Sequence, residues 1–327
     1  MRYILKFFLL LAFVFPALVR AEFEWISYTI DNDLFLGNDS GYTNGIYVSL
    51  YDVEEAGEQP KPSWMLRPLL WSLPVQEPVG AVNSFTVGQT MITPKDITVE
   101  IPGDKDLPYA GLLFVNNTYL SINKRYADKI STTIGFVGSL SLAEESQKIV
   151  HAITDSDEPR GWNTQLKNEL VFEFTRARAW RSWESESKQW DLITTSEFSL
   201  GTISSGIDMG IMFRYGKNLI ESYAIPLLDS SRTTNPVAIN GNWYVYSGMK
   251  IGYKFNQIFT DGNTFRDSRS IDYDRQYVSL ILGLAYSWND YSFAFAINDS
   301  NIISGKSEKL LKDLTEYGSL SFAVKFE

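Results

Sequence analysis

In three segments near the end of the chain, 278–288, 291–298 and 319–326, character changes at every second residue, and that alternation constrains the fold more than any other feature. Leu320, Phe322, Val324 and Phe326 fall on one side, and Ser319, Ser321, Ala323 and Lys325 on the other. Val278, Leu280, Leu282, Leu284, Tyr286 and Trp288 alternate with Ser279, Gly283, Ala285 and Ser287. Tyr291, Phe293, Phe295 and Ile297 alternate in turn with Ser292, Ala294, Ala296 and Asn298, after the turn pair Asn289-Asp290. A period of two is the period of a strand, whose successive side chains point to opposite faces. In water the apolar face would pack on a core; in a barrel it would face lipid.

The same reading along the chain gives strands near 23–31, 43–52, 82–92, 109–121, 128–140, 168–180, 190–200, 204–215, 242–256, 275–288, 291–299 and 317–327. The count is twelve, and single-chain bacterial membrane barrels have even strand numbers. A large soluble sandwich or jelly roll would alternate in a similar way. Three features favour the membrane. Aromatic residues make up 14% of the chain, as the girdles of a membrane barrel require. The last strand ends on an aromatic, Phe326, one residue from the terminus. The chain also opens as an exported one.

That opening is Met1-Arg2-Tyr3-Ile4-Leu5-Lys6, an apolar run from Phe7 to Leu18, then Val19-Arg20-Ala21. A basic start, a short apolar core and a small residue at the cut describe a cleavable signal peptide. The run is shorter than the roughly 20 residues of a spanning helix. The expected division is residues 1–21 as signal and 22–327 as barrel, with a mature start at Glu22. No later apolar run approaches spanning length, which excludes a helical membrane bundle. Cysteine is absent, so there is no disulfide framework and no thiolate chemistry. The net charge is −10, and loss of Arg2, Lys6 and Arg20 with the signal takes it to −13. A balance this acidic argues against nucleic acid as a partner.

The expectation is therefore an all-β, 12-stranded antiparallel transmembrane β-barrel with a short helix in an outer loop, monomeric, in the outer membrane of a Gram-negative cell. With a periplasmic N-terminus, connections 32–42, 93–108 and 141–167 lie on the extracellular rim. Connection 53–81 then lies on the periplasmic side. It is long for such a turn and carries Trp64, Met65, Leu66, Leu69, Leu70 and Trp71 between prolines, which suits a short amphipathic piece in the interface.

Two rim segments hold residues with chemistry. Asp31-Asn32-Asp33 precedes a Gly/Asn/Asp stretch and Gly41-Tyr42-Thr43-Asn44-Gly45. This reads either as loop punctuation built on Asx turns or as oxygen ligands for a hard cation such as Ca²⁺. Leu142 to Ile153 has helical composition and contains His151, the only histidine, with Gln147 one turn earlier on the same face. A nucleophilic serine fits poorly: Ala152 and Ile153 follow His151, and no Gly-x-Ser-x-Gly elbow occurs. A hydrolase built on these residues would use His151 to activate water, with a metal stabilising the oxyanion.

At these residues the chain resembles the lipid A 3′-O-deacylase family, the LpxR-like outer-membrane barrels. The matching pieces are Asn32-Asp33; Tyr42-Thr43-Asn44-Gly45; Gln89 with Thr93-Pro94; Pro108-Tyr109-Ala110-Gly111; and Gln147 with His151, followed by Gly161-Trp162, Gln165 and Asn168-Glu169. The resemblance implies a twelve-stranded barrel with its site at the outer rim, under a helix from the third outer loop. It implies Ca²⁺-dependent removal of the acyloxyacyl group at the 3′ position of lipid A, the lipid anchor of lipopolysaccharide. By position His151 would be the general base, and Asp33 would hold the metal or orient the site. Asn32 and Thr43 would complete that corner, Gln147 would position groups near His151, and Asp157 would be the family's acidic residue near the metal. The family's basic residue before Pro-Tyr-Ala-Gly is Leu107 here, and its Lys-Arg pair falls at Val99 and Glu100. Lys95, Lys105 or Arg160 would then meet the lipid phosphates. Two other readings stand beside this one: a non-enzymatic barrel, structural or a small pore, and a phospholipase acting on other acylated lipids of the outer membrane.

Overall fold

In a computed structural model the alternating segments become twelve strands that close on themselves. The structure describes residues 23–32, 41–55, 62–74, 78–222, 241–299 and 317–326. The expected signal peptide, with Asp33, lies outside the described residues. The strands are β1 (Trp25–Asn32), β2 (Gly41–Glu55), β3 (Gly80–Thr93), β4 (Ala110–Ile122), β5 (Tyr126–Val137) and β6 (Glu169–Glu184). They continue as β7 (Trp190–Gly201), β8 (Ser204–Lys217), β9 (Trp243–Gln257), β10 (Gln276–Trp288), β11 (Tyr291–Asp299) and β12 (Tyr317–Lys325). Each pairs antiparallel with its sequence neighbours, and β1 pairs with β12 to close the barrel. Closure leaves no open sheet edge, which hydrocarbon would not tolerate. No helix among the described residues is long and apolar enough to cross a membrane.

Odd-numbered strands end at one rim, which carries the longest connection, residues 138–168, and is called the loop rim; even-numbered strands end at the turn rim. The anticipated hairpin at Asn289-Asp290 is a turn-rim connection, with Asn289 in the left-handed region (φ 47°). Strand β5 stops at Val137 rather than at 140. Gly138 takes φ 96°, and Asn168 Oδ1 accepts from the Leu140 amide (2.9 Å), bending the chain into a 3₁₀ turn over Ser139–Ser141. Strand β6 runs to Glu184 rather than 180 by taking up a bulge between Arg181 and Trp183.

The alternation assigns the faces as expected. On β12, Ala323 and Ser321 are buried while Phe322 is exposed. On β1, Trp25, Ser27, Thr29 and Asp31 are buried and Tyr28 and Ile30 are exposed. The interior is filled. At the loop rim Ile92, Leu107, Leu112, Leu166, Ile258 and Phe259 form one apolar cluster drawn from opposite sides of the barrel. Ile258 and Phe259 come from a single helical turn, Ile258–Asp261, in the β9–β10 connection. Nearer the turn rim, Trp25, Tyr51, Val82, Leu120, Ile193 and Met212 form a second cluster. Buried polar pairs lie within the lumen, including Lys129–Glu197 (2.9 Å) and Thr29–Ser321 (2.8 Å). Arg214 holds Asp191 (2.6 Å) and draws Leu219–Ser222 in through the Ser222 carbonyl (2.8 Å).

Candidate active site

The helical composition around His151 becomes helix α1 (Ala143–Thr154) in the β5–β6 connection. Ala143 and Gln147 are buried and His151 is half-buried, each four residues from the last, so one side of α1 faces the protein. That side meets β3 and β4. Which face of those strands it covers follows from register. Ile30, Ile46, Gln89, Leu113 and Phe136 are paired in one row across β1 to β5. Ile30, Ile46 and Phe136 in that row are exposed, so the row points away from the lumen. Two residues nearer the rim, Asn32, Asn44, Met91 and Gly111 form the next outward row. Helix α1 sits on this row. It lies against the outside of the barrel wall, on the side that faces lipid.

Several contacts fix it there. Met91, Tyr109, Ala143 and Trp162 form a buried apolar seat. The rings of Tyr109 and Trp162 pack with centroids 4.9 Å apart. Gln89 on the outer wall donates from Nε2 to the Ser141 carbonyl (2.6 Å), at the entrance to the helix. Gly111 is required by closeness: a Cβ there would lie under 3.0 Å from both Ser141 Oγ and Ala143 Cβ. The 94–109 connection is tied in as well. Tyr109 donates to the Ile97 carbonyl (3.0 Å), and burial pushes its hydroxyl up to about 12, so it remains a neutral donor.

Two side chains are oriented by this framework. Trp162 Nε1 donates to Gln147 Oε1 (2.7 Å) inside the protein. An indole N–H only donates, so the amide of Gln147 is fixed with its oxygen toward Trp162. Gln147 Nε2 is then buried with no hydrogen-bond partner among the described residues. His151 Nδ1 lies 2.5 Å from the main-chain oxygen of Asp157. A carbonyl only accepts, so Nδ1 carries the proton and Nε2 of the neutral ring keeps its lone pair. The loop returns that carbonyl because α1 ends at Asp155 in the left-handed conformation (φ 55°) and the Ser156 amide bonds back to the His151 carbonyl (3.1 Å).

The sequence candidates divide as follows. Gln147, His151 and Asp157 come together, but Asp157 does so through its backbone while its side chain is exposed. Asn32 and Asn44 are directly paired and continue the outward row on which α1 sits. Thr43 is the extra residue between the pairs Tyr42–Ile92 and Asn44–Met91, a β-bulge of the kind that re-aims a residue at a barrel rim. Lys95, Lys105 and Arg160 are all exposed at the loop rim, and the Arg160 amide donates to the Ile97 carbonyl (2.9 Å). Among the described residues no group of three or more His, Asp or Glu could hold a metal. Asn32 and Asp157 do supply oxygen donors, the type a hard cation takes. Sequence reasoning missed the roles of Gly111 and Trp162 in seating the helix and orienting Gln147. Both lie inside matched pieces, but spacing alone gives no sign of what they touch.

The solved structure of LpxR from Salmonella typhimurium superposes with a TM-score of 0.69 at 12% identity, covering 92% of this chain and 100% of that one. The β domain of the Bordetella autotransporter BrkA gives 0.45 at 9% identity (93% and 98% covered), and the KdgM porin 0.38 at 7% (93% and 99%). No curated protein sequence matches this one. The family model described as outer membrane protein LpxR matches residues 5–326, nearly the whole chain. With a closed twelve-stranded barrel that carries its candidate site on the outside of the wall, the chain belongs to the LpxR family and is an outer-membrane protein.

Proposed function

We propose that this barrel is a lipid A deacylase, a carboxylic ester hydrolase that removes the 3′-linked acyloxyacyl chain with water activated by His151. Membership of the LpxR family supports an outer-membrane enzyme that modifies lipid A. The observation that carries the finer reading is the placement of a tautomer-fixed histidine on the lipid-facing side of the wall. There it can meet an ester of a lipid that stays in its leaflet. The filled lumen counts against a small pore.

In this reading His151 Nε2 takes a proton from water as the oxygen attacks the ester carbonyl. The Asp157 carbonyl stabilises the imidazolium that results. The acyl C–O bond then breaks, the proton passes to the departing 3′ oxygen, and the acyloxyacyl chain leaves as a free acid. Gln147 Nε2, a buried donor with no partner among the described residues, would donate to the carbonyl oxygen as charge develops on it. Asn32 and Thr43 orient groups at the other end of the outward row. Lys95, Lys105 and Arg160, which are exposed at the loop rim, would meet the lipid phosphates. Asp33 and Asp157 would hold Ca²⁺, which when bound supplies positive charge near the developing oxyanion. The loop rim faces outward from the cell, residues 1–21 are a signal peptide, and the barrel works as a monomer.

The test is mass spectrometry of lipid A from a heterologous Gram-negative host expressing the chain. Loss of one acyloxyacyl unit is the expected result; unchanged lipid A with a folded barrel and added Ca²⁺ would remove the assignment. EDTA is expected to stop deacylation and excess Ca²⁺ to restore it. Ca²⁺ should also raise the melting temperature of the native protein but not of Asp33→Asn. N-terminal sequencing of the barrel from outer membranes should begin at Glu22.

A further inference from the structure

A second element lies on the outside of the wall, at the opposite rim. In the β2–β3 connection, Trp64–Ser72 forms a 3₁₀ helix. It packs on β4, β5 and β6. The strand residues beneath it point away from the lumen. Val115 on β4 is exposed and outward-facing, so Asn117, Tyr119 and Ser121 point outward too. Their paired partners on β5 are Thr132, Ile130 and Asp128. Such positions would normally face lipid, yet Asn117, Asp128 and Ile130 have no exposed surface.

The covering segment accounts for this. Ser63 Oγ donates to Asn117 Oδ1 (2.5 Å), and Thr132 Oγ1 donates to the Met65 carbonyl (2.9 Å). Arg176 Nη2 donates to the Ser72 carbonyl (3.3 Å), and Leu66 packs on Ala81, Tyr119 and Ile130. Beside it, Asp128 is shared by Arg176 and Arg178. A polar and charged strip on a lipid-facing wall is unfavourable unless something covers it.

What the segment presents on its other side is apolar. Trp64 is 69% exposed and Trp71 83% exposed. The Trp71 indole N–H is already bonded to the Pro68 carbonyl (2.8 Å), which leaves the ring as an apolar surface. From β6 to β11 this rim carries an outward belt that includes Trp180, Trp190, Tyr215, Trp243, Trp288 and Tyr291. Its rings touch: Trp190–Tyr215 at 4.2 Å, Tyr215–Trp243 at 5.6 Å, Trp288–Tyr291 at 5.7 Å between centroids. Rimward of the pair Tyr126–Trp180 the belt begins, and beside it the outward wall of β4, β5 and β6 carries the polar strip, which the 3₁₀ segment covers.

We propose that residues 62–74 form an interfacial anchor. The segment seals the polar strip and inserts Trp64 and Trp71 into the lipid–water interface at the turn rim, completing the aromatic belt. Its partner is the lipid surface of the leaflet opposite the one that α1 meets. Because α1 and this anchor lie on the same side of the barrel, the anchor sets the depth at which the wall below α1 sits.

The chain has no cysteine, so single-cysteine variants take one label each. Nitroxide labels would be placed at Trp64→Cys, Trp71→Cys and Arg67→Cys, the last leaving both tryptophans in place. Glu186→Cys in the β6–β7 hairpin of the same rim is the water reference, and Val245→Cys on the outward wall is the lipid reference. The protein is reconstituted in phosphatidylethanolamine–phosphatidylglycerol vesicles, and collision with oxygen and with a water-soluble nickel chelate is measured. Nickel accessibility at 64 and 71 at least threefold below that at 186, with a depth between the two references, is the expected result. At 67 the label should read at the headgroup edge. Nickel accessibility at 64, 67 and 71 equal to that at 186 would overturn the proposal. So would dipolar broadening between labels, which would mean that a second copy covers this face.

Discussion

Replacing His151 by alanine is expected to lower deacylation by about 10²–10⁴-fold, the usual worth of a positioned general base, and to leave the barrel folded. The side chain is half-buried on the outer wall and takes no part in strand pairing. Its hydrogen bond to the Asp157 carbonyl ties down the loop after α1 and no other element. His151→Asn gives the sharper comparison. Asparagine can still donate to a carbonyl but cannot accept a proton, so a loss as large as in the alanine variant identifies the base rather than the tether. The measurements are the rate of acyloxyacyl release in outer-membrane vesicles and the heat-dependent gel shift of a folded barrel. Full activity in either variant would refute the mechanism.

A comparable loss is expected from Gly111→Val, a substitution that touches no chemical group. A side chain on this outward position must enter the space of Ser141 and Ala143. Strand β4 cannot yield, because it is paired on both sides, with β3 and β5. The 139–143 turn and α1 must therefore lift. The displacement carries Gln147 and His151 away from the wall, and a misplacement of about 1 Å at a catalytic group can cost on the order of 10²-fold. Barrel formation should survive, since the lumen and the strand register do not involve that face. A variant with normal gel shift and at least a 10²-fold lower rate is the expected outcome. Normal rate with bulk at this position would mean that the seat of α1 is not what positions His151.

Much of this architecture was legible in the chain. A period of two is a local property, so the alternation located the strands within a few residues and assigned their faces, as β12 illustrates with Phe322 outside and Ala323 inside. The step of four residues from Gln147 to His151 is equally local, and it put both side chains on one face of α1 before any contact was known. Where the expectation slipped, a long-range partner decided. Strand β5 stops early because Asn168, on the far side of the connection, captures the turn after Gly138.

The position of α1 was beyond the reach of the sequence. Knowing that a helix joins β5 to β6 does not say whether it covers the lumen or hangs outside. That depends on which residues of β1 to β4 share a row, and register across separate strands is fixed only when the barrel closes. The same holds for the tautomer of His151, set by a carbonyl six residues on through a left-handed turn. It holds too for the bulge at Thr43, visible only against the pairing of β3. Connection 53–81 looked like an amphipathic piece, and tertiary structure revealed the polar strip that its residues 62–74 cover. Alternation tells each residue whether it points in or out; only closure of the barrel decides which outward residues stand side by side, and both outer-wall elements are built on such neighbours.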